Sequence, residues 1–193
     1  MTGVQTCALP ILISALVAFK RLHDEDAPVE EVMPDFVRRR SGRYGGMRLR
    51  ALCREIHEFH RERGTSRLQR AMFAPEHLPE MAVAPHEAVR ALVRNRVDYV
   101  PIEEAEGRVA TTLMLVYPPG IGVIVPGERV GPRAKPMLDY FKMFEESSNR
   151  FPGLDAEIQG VYREADAAGR IRFYTYVMRE DGRGGARARR RDD

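Results

Sequence analysis

His57 and His60, three residues apart and interleaved with Glu55 and Glu58, come closest to the side-chain set of a metal site. A zinc-binding helix of the metalloprotease kind needs histidines at i and i+4 around a glutamate, so that both imidazoles reach one ion. Here the spacing is i, i+3 and no third ligand stands nearby, so the pair reads as a solvated helix flank. Glu103, Glu104 and Glu106 form an acidic cluster suited to a cation or a basic ligand, and equally to a solvated connecting segment. Cys53 falls on an apolar helix stripe, which points to a buried, inert thiol and not to a nucleophile. His23, His77 and His86 are isolated in loops or at helix starts, positions that suit capping or surface roles.

The most distinctive local sequence is a pair of stiff turns. Tyr117-Pro118-Pro119-Gly120 ends one β-like run, and Val125 is followed by Pro126-Gly127-Glu128. Proline fixes one backbone dihedral and glycine supplies the left-handed one, so each segment is a rigid turn able to hold a pocket rim. Neither turn contributes a nucleophile or a general base, and a purely structural role fits equally well.

The elements that must position these residues follow from periodicity. Leu12, Leu16 and Phe19 are spaced for a helix ending at Asp24 to Pro28, a short helix follows through Val29, Val32 and Phe36 with Pro34 interrupting, and Ser41 to Gly46 reads as a loop. Leu49, Leu52, Cys53, Ile56 and Phe59 make one stripe of a helix over 47–63, stopped by Gly64. Leu68 to Pro79 reads as a helical turn and then a loop. Pro85 opens a helix ending near Asn95, and Pro136 opens another that breaks at Phe151-Pro152-Gly153. Tyr99 to Ile102, Val109 to Tyr117 and Ile121 to Val125 read as strands. Ile158 to Arg163 and Arg170 to Met178 read as a closing hairpin whose last strand alternates apolar and polar residues. Together these predict an α+β fold, with several N-terminal helices packed on a small mixed or antiparallel sheet that ends in a hairpin.

Composition sets limits. The chain has 193 residues, long enough for one domain and a fragment of another. The formal net charge is +3, of which +2 falls in the Arg-rich stretch 181–193, leaving a nearly neutral body that argues against a nucleic-acid partner. That stretch has no apolar residue larger than alanine and is expected to be disordered. The longest apolar run, Ala8 to Phe19, is too short for a membrane span and lacks the flanks of a signal peptide. Two cysteines make neither a disulfide framework nor a zinc set and suit a reducing cytoplasm. Residues 2–11 resemble a translated sequencing adapter, which sets 1–11 aside as artefact and leaves 12–180 as the domain, with 12–64 its helical lead-in and 65–180 its α+β part.

An ordered set of segments resembles one family. Gly107-Arg108-Val109-Ala110, Tyr117-Pro118-Pro119-Gly120-Ile121, Val125-Pro126-Gly127-Glu128, Phe151-Pro152-Gly153 and Gln159-Gly160-Val161-Tyr162 are similar, in order and spacing, to the C-terminal region of the bacterial ornithine/lysine/arginine decarboxylases. Phe19-Lys20-Arg21, Asp24 and Pro28 resemble the helix leading into that region. Gly122 departs from the pattern, standing where the family usually has a second proline.

The resemblance implies a parent enzyme of the aspartate-aminotransferase fold type that uses pyridoxal 5'-phosphate and releases carbon dioxide from ornithine, lysine or arginine, consuming a proton in polyamine synthesis or acid resistance. It implies a cytoplasmic dimer or higher oligomer whose cofactor core lies N-terminal to this region. The family's Schiff-base lysine follows a histidine, whereas none of Lys20, Lys135 and Lys142 does. The chain is therefore expected to have no catalytic, cofactor-binding or metal residue of its own and to be silent alone. Tyr117, Pro118, Pro119, Gly120, Pro126, Gly127 and Glu128 are left as an active-site-entrance or structural motif. The alternative is a free-standing interaction module that binds polyamines through Glu103, Glu104, Glu106 and Glu128.

Overall fold

The computed structural model describes residues 5–117 and 120–180, so Pro118, Pro119 and the expected tail 181–193 lie outside the described residues. The chain divides into two compact units between His60 and Arg61.

The first unit is helical, with α1 (Gln5–Asp24), α2 (Val29–Val32), α3 (Pro34–Arg39), α4 (Ser41–Tyr44) and most of α5 (Leu49–Glu62). Helix α1 closes where Asp26 turns left-handed, with its N–H donating to the His23 carbonyl at 3.0 Å and that of Ala27 donating to Leu22 at 2.9 Å. These two bonds satisfy carbonyls that a helix end otherwise leaves bare. Pro34 divides α2 from α3 as its missing N–H requires. The expected loop at Ser41 to Gly46 instead begins with the single turn α4, because the fully buried Tyr44 packs its ring 4.9 Å from that of Phe36. Backbone bonds from Val29 to Met47 and from Leu49 to Ala27, both 2.9 Å, then clasp the start of α5. On α5, Leu49, Leu52 and Phe59 are buried, three residues of the predicted stripe.

The second unit contains α6 (Thr65–Ala71), α7 (Pro85–Val93) and α8 (Lys135–Arg150), and the strands β1 (Glu80–Met81), β2 (Val97–Pro101), β3 (Met114–Tyr117), β4 (Ile121–Ile124), β5 (Glu128–Arg129), β6 (Glu157–Gln159), β7 (Tyr162–Ala165) and β8 (Ile171–Met178). The fold is α+β. Its strands are distributed over three small sheets, ordered β1-β5, β2-β8-β7 and β4-β3-β6, and every pairing is antiparallel. Helix α8 buries Met137, Leu138 and Phe141 and packs against β8, whose Phe173, Thr175 and Val177 are buried while Arg172, Tyr174, Tyr176 and Met178 are half-buried. That is the alternation a strand with one packed face requires.

Two strand expectations change. The run Val109 to Tyr117 forms a strand only from Met114; Val109 and Ala110 make isolated bridges to Arg129 and Val177. Between them Thr111 and Thr112 leave the ladder, their hydroxyls donating to the Tyr176 carbonyl at 2.8 Å and the Gly160 carbonyl at 3.2 Å. The arm Ile158 to Arg163 breaks at Gly160, so that β6 pairs with β3 and only β7 forms the hairpin with β8. Gly160 has φ +74°, and a Cβ there would stand 2.2 Å from the Leu113 carbonyl oxygen. Only glycine permits that approach of one sheet to the next.

Candidate functional site

The two turns singled out by sequence sit at opposite ends of β4. Strands β3 and β4 pair Val116 with Ile121 and Leu115 with Gly122, and a bulge precedes the pairing of Met114 with Ile124. At the near end Gly120 has φ +83° and donates its N–H to Val116 at 3.3 Å, with Tyr117 and Ile121 both exposed. Beside this end lies a small apolar hollow of about 140 Å³, lined by Met72, Phe73, Val116, Ile121 and Tyr140.

At the far end the Glu128 N–H donates to the Val125 carbonyl at 3.2 Å, and the Val125 N–H donates to Glu128 Oε2 at 2.8 Å, so the carboxylate closes its own turn. Gly127, φ +94°, is a backbone crossing: its N–H donates to Ala110 at 2.9 Å, and its carbonyl accepts from Ala82 at 2.8 Å and Val83 at 3.2 Å. A four-residue strand spans about 13 Å. Tyr117 and Gly120 are therefore not brought together with Pro126, Gly127 and Glu128.

Burial pushes the Glu128 carboxyl above the ordinary carboxylate value, opposed by the Val125 N–H. A carboxyl raised in the folded state binds its proton more tightly there than in the unfolded chain. Its contribution is full below the unfolded value and is lost as pH rises through the folded one. Glu128→Gln keeps an acceptor for Val125 and never ionises. It should melt at or above the wild-type temperature at pH 7, with the gap closing towards pH 4; a deficit at pH 7 that disappears at pH 4 would contradict the burial effect.

The remaining candidates are dispersed. Glu103 is ion-paired with Arg172, which also approaches Glu145 at 3.8 Å. With Glu103 paired to Arg172 and Glu128 bound to its own turn, two of the four carboxylates of a polyamine site already have partners. Among the described residues no three His, Cys, Asp or Glu side chains are grouped to hold a metal ion. His57 is exposed on α5, and His60, edge-on to Phe59 at 5.3 Å, has its pKa lowered by burial. The Cys53 thiol is half-buried, not fully buried as its place on the stripe suggested, and that burial pushes its pKa up, away from the thiolate.

Sequence reasoning missed the charged centre of the second unit. Asp98 on β2, with a side chain 10% exposed, accepts from Arg108 at 2.6 Å and from Arg179 at 3.3 Å. Arg108, 12% exposed, also donates to the Met178 carbonyl at 3.0 Å, and Arg179 donates to that of Val97 at 2.9 Å. The signal was an aspartate inside an otherwise apolar strand, a placement that requires partners.

Fold and turns together define a helical unit followed by an antiparallel α+β domain whose distinctive glycines serve backbone crossings. Residues 66–179 match the family described as Orn/Lys/Arg decarboxylase, C-terminal domain. The chain is 40% identical over 168 residues to the inducible ornithine decarboxylase of Escherichia coli, covering 87% of this chain and 22% of that protein. It is 36% identical over 159 residues to the lysine decarboxylase LdcA of Pseudomonas aeruginosa, covering 82% and 21%. Among solved structures, lysine decarboxylase A from Pseudomonas aeruginosa superposes with a TM-score of 0.81 at 33% identity over 92% of this chain and 23% of that one. For the constitutive lysine decarboxylase of E. coli the values are 0.75, 28%, 87% and 23%. The chain belongs to the Orn/Lys/Arg decarboxylase family and corresponds to its C-terminal domain. It spans under a quarter of the length of these relatives.

Proposed function

We propose that this chain is the terminal scaffold of an amino-acid decarboxylase that acts on ornithine, lysine or arginine, and that the chemistry resides in residues outside it. The single observation that carries this reading is the match of 66–179 to the family's C-terminal domain, in a chain spanning 22% of the E. coli ornithine enzyme. Pyridoxal phosphate, the cofactor of this reading, needs a lysine for its aldehyde and an acidic partner for its ring nitrogen. Lys20 and Lys135 are 74% and 68% exposed and paired within their own helices to Asp24 and Asp139, and Lys142 is exposed on α8. These lysines do not fit the group, and no step through it falls to residues of this chain.

What the chain contributes is rigidity and surface. Helix α1 presents Leu12, Leu16 and Phe19 at 55%, 58% and 46% exposure, an apolar row of the kind that needs a covering partner. In this reading the N-terminal cofactor core covers it, within a cytoplasmic dimer or larger assembly. Residues 1–11 are foreign to the domain, and the β3–β4 turn contributes to the rim of the active-site entrance. The test is release of labelled carbon dioxide from ornithine, lysine and arginine in the presence of pyridoxal phosphate. The chain alone should give none above buffer, and turnover of any of the three would overturn the scaffold reading.

A further inference from the structure

One concavity of the second unit is distant in sequence from the β3–β4 hairpin and has an unusual lining. A cleft of about 520 Å³ at the C-terminal end of α7 is bordered by Arg90, Arg94, Arg96 and Arg179, with Glu87 as its one carboxylate. Glu87 is turned to the other end of its helix, accepting from the Ala84 N–H at 3.3 Å, and so leaves Arg90, Arg94 and Arg96 uncompensated, while Arg179 is paired with Asp98. Some arginines elsewhere are matched, Arg38 to Asp35, Arg43 to Glu55, Arg133 to Glu80 and Arg163 to Asp155; what sets the cleft apart is that several guanidinium groups share one concave wall. Arg90, Arg94 and Arg96 make no side-chain hydrogen bond or ion pair among the described residues.

The helix dipole accounts for part of this set, since cations near a helix C-terminus gain about 0.3–1 kcal/mol. Arg90 and Arg94 occupy such positions; Arg96 and Arg179 lie beyond the helix. The platform beneath them is fixed. Asn95 is left-handed at φ 54°, its N–H donating to Leu92 at 3.0 Å while that of Arg96 donates to Ala91 at 2.8 Å, the paired closure of a terminated helix. Arg179 is held by the Val97 carbonyl and Asp98, and its N–H donates to the Arg96 carbonyl at 3.1 Å.

We propose that this cleft binds a compact oxyanion carrying two or more negative groups. Guanidinium forks match the paired oxygens of phosphate and carboxylate, and a concave wall of one sign concentrates such ions. The volume lies in the range of small-molecule sites and exceeds what one inorganic phosphate fills. A phosphate chain and a tricarboxylate share this chemistry, and the test separates them.

The full chain is titrated by calorimetry at low salt with sodium tripolyphosphate in one arm and sodium citrate in the other. Saturable one-to-one binding is expected in at least one arm, weakening as salt is raised, and the tighter arm names the source. Arg90→Glu with Arg94→Glu should weaken it about tenfold or more. Both side chains are exposed, and an unchanged melting temperature checks the fold; Arg96→Ala, expected to weaken binding several-fold, serves if the double variant is unstable. Ending the chain at Glu180 separates the cleft from the five arginines of 181–193 and should leave the affinity within about twofold. Absence of binding in both arms, binding unaffected by the cleft variants, or binding lost with the tail would each overturn the proposal. None of these outcomes bears on the decarboxylase reading.

Discussion

Gly127→Ala is expected to cost the second unit about 4 kcal/mol or more in urea unfolding, enough to leave much of it unfolded at 37 °C. Two costs add. At φ +94° an L-residue is strained by about 1–2 kcal/mol. The new Cβ would also stand 2.3 Å from the Val83 carbonyl oxygen and 3.3 Å from the Pro85 nitrogen, backbone atoms that cannot rotate away. Relieving the clash means separating Gly127 from the 82–83 segment, which loses the bonds its carbonyl accepts from Ala82 and Val83 at about 1 kcal/mol each, more where a buried group stays unpaired. Gly107→Ala is the matched control: its φ is +80° but nothing lies within 4 Å of an added Cβ, so it should show only the dihedral cost of about 1–2 kcal/mol. Equal losses for the two variants would show that the crossing at Gly127 is not what holds β1 to β5.

Asp98→Ala should be comparably damaging, at about 3–5 kcal/mol, because it removes the near partner of Arg108, leaving that charge only Glu180 at 3.8 Å while the Met178 carbonyl still holds the arginine in the interior. The pair is not worth that much against water; the loss comes from stranding one partner. Replacing both residues with apolar ones, Asp98→Leu with Arg108→Met, should therefore recover a large part of the loss, a non-additivity readable in a double-mutant cycle. Arg179→Ala should cost less than Asp98→Ala, since its side chain is 39% exposed and water replaces part of its interaction. An Asp98→Ala protein within about 0.5 kcal/mol of wild type would contradict the assignment of this pair as the charged centre.

Local periodicity made part of this structure legible. The α8 stripe Met137, Leu138 and Phe141, the alternation of β8, and the interruption at Pro34 all follow from side chains a few residues apart. Contacts from elsewhere in the chain decided the rest. Tyr44 turned an expected loop helical by packing on Phe36, and the hydroxyls of Thr111 and Thr112 left a β-branched run to bond Tyr176 and Gly160. Gly160 split one expected strand between two sheets, something its neighbours do not signal. The paired turns were recognisable as rigid, and the separation of Gly120 from Gly127 along β4 became readable only once that strand's pairing was known. Asp98, Arg108 and Arg179 are distant in sequence and meet only through the β2–β8 ladder.

Whether this chain is scaffold or catalyst is decided most directly by intact-mass analysis after incubation with pyridoxal phosphate and reduction with sodium borohydride, which fixes any Schiff base to its lysine. The full chain should keep its unmodified mass at stoichiometric cofactor, with only partial, concentration-dependent labelling scattered over Lys20, Lys135 and Lys142. One saturating adduct on a single lysine would contradict it.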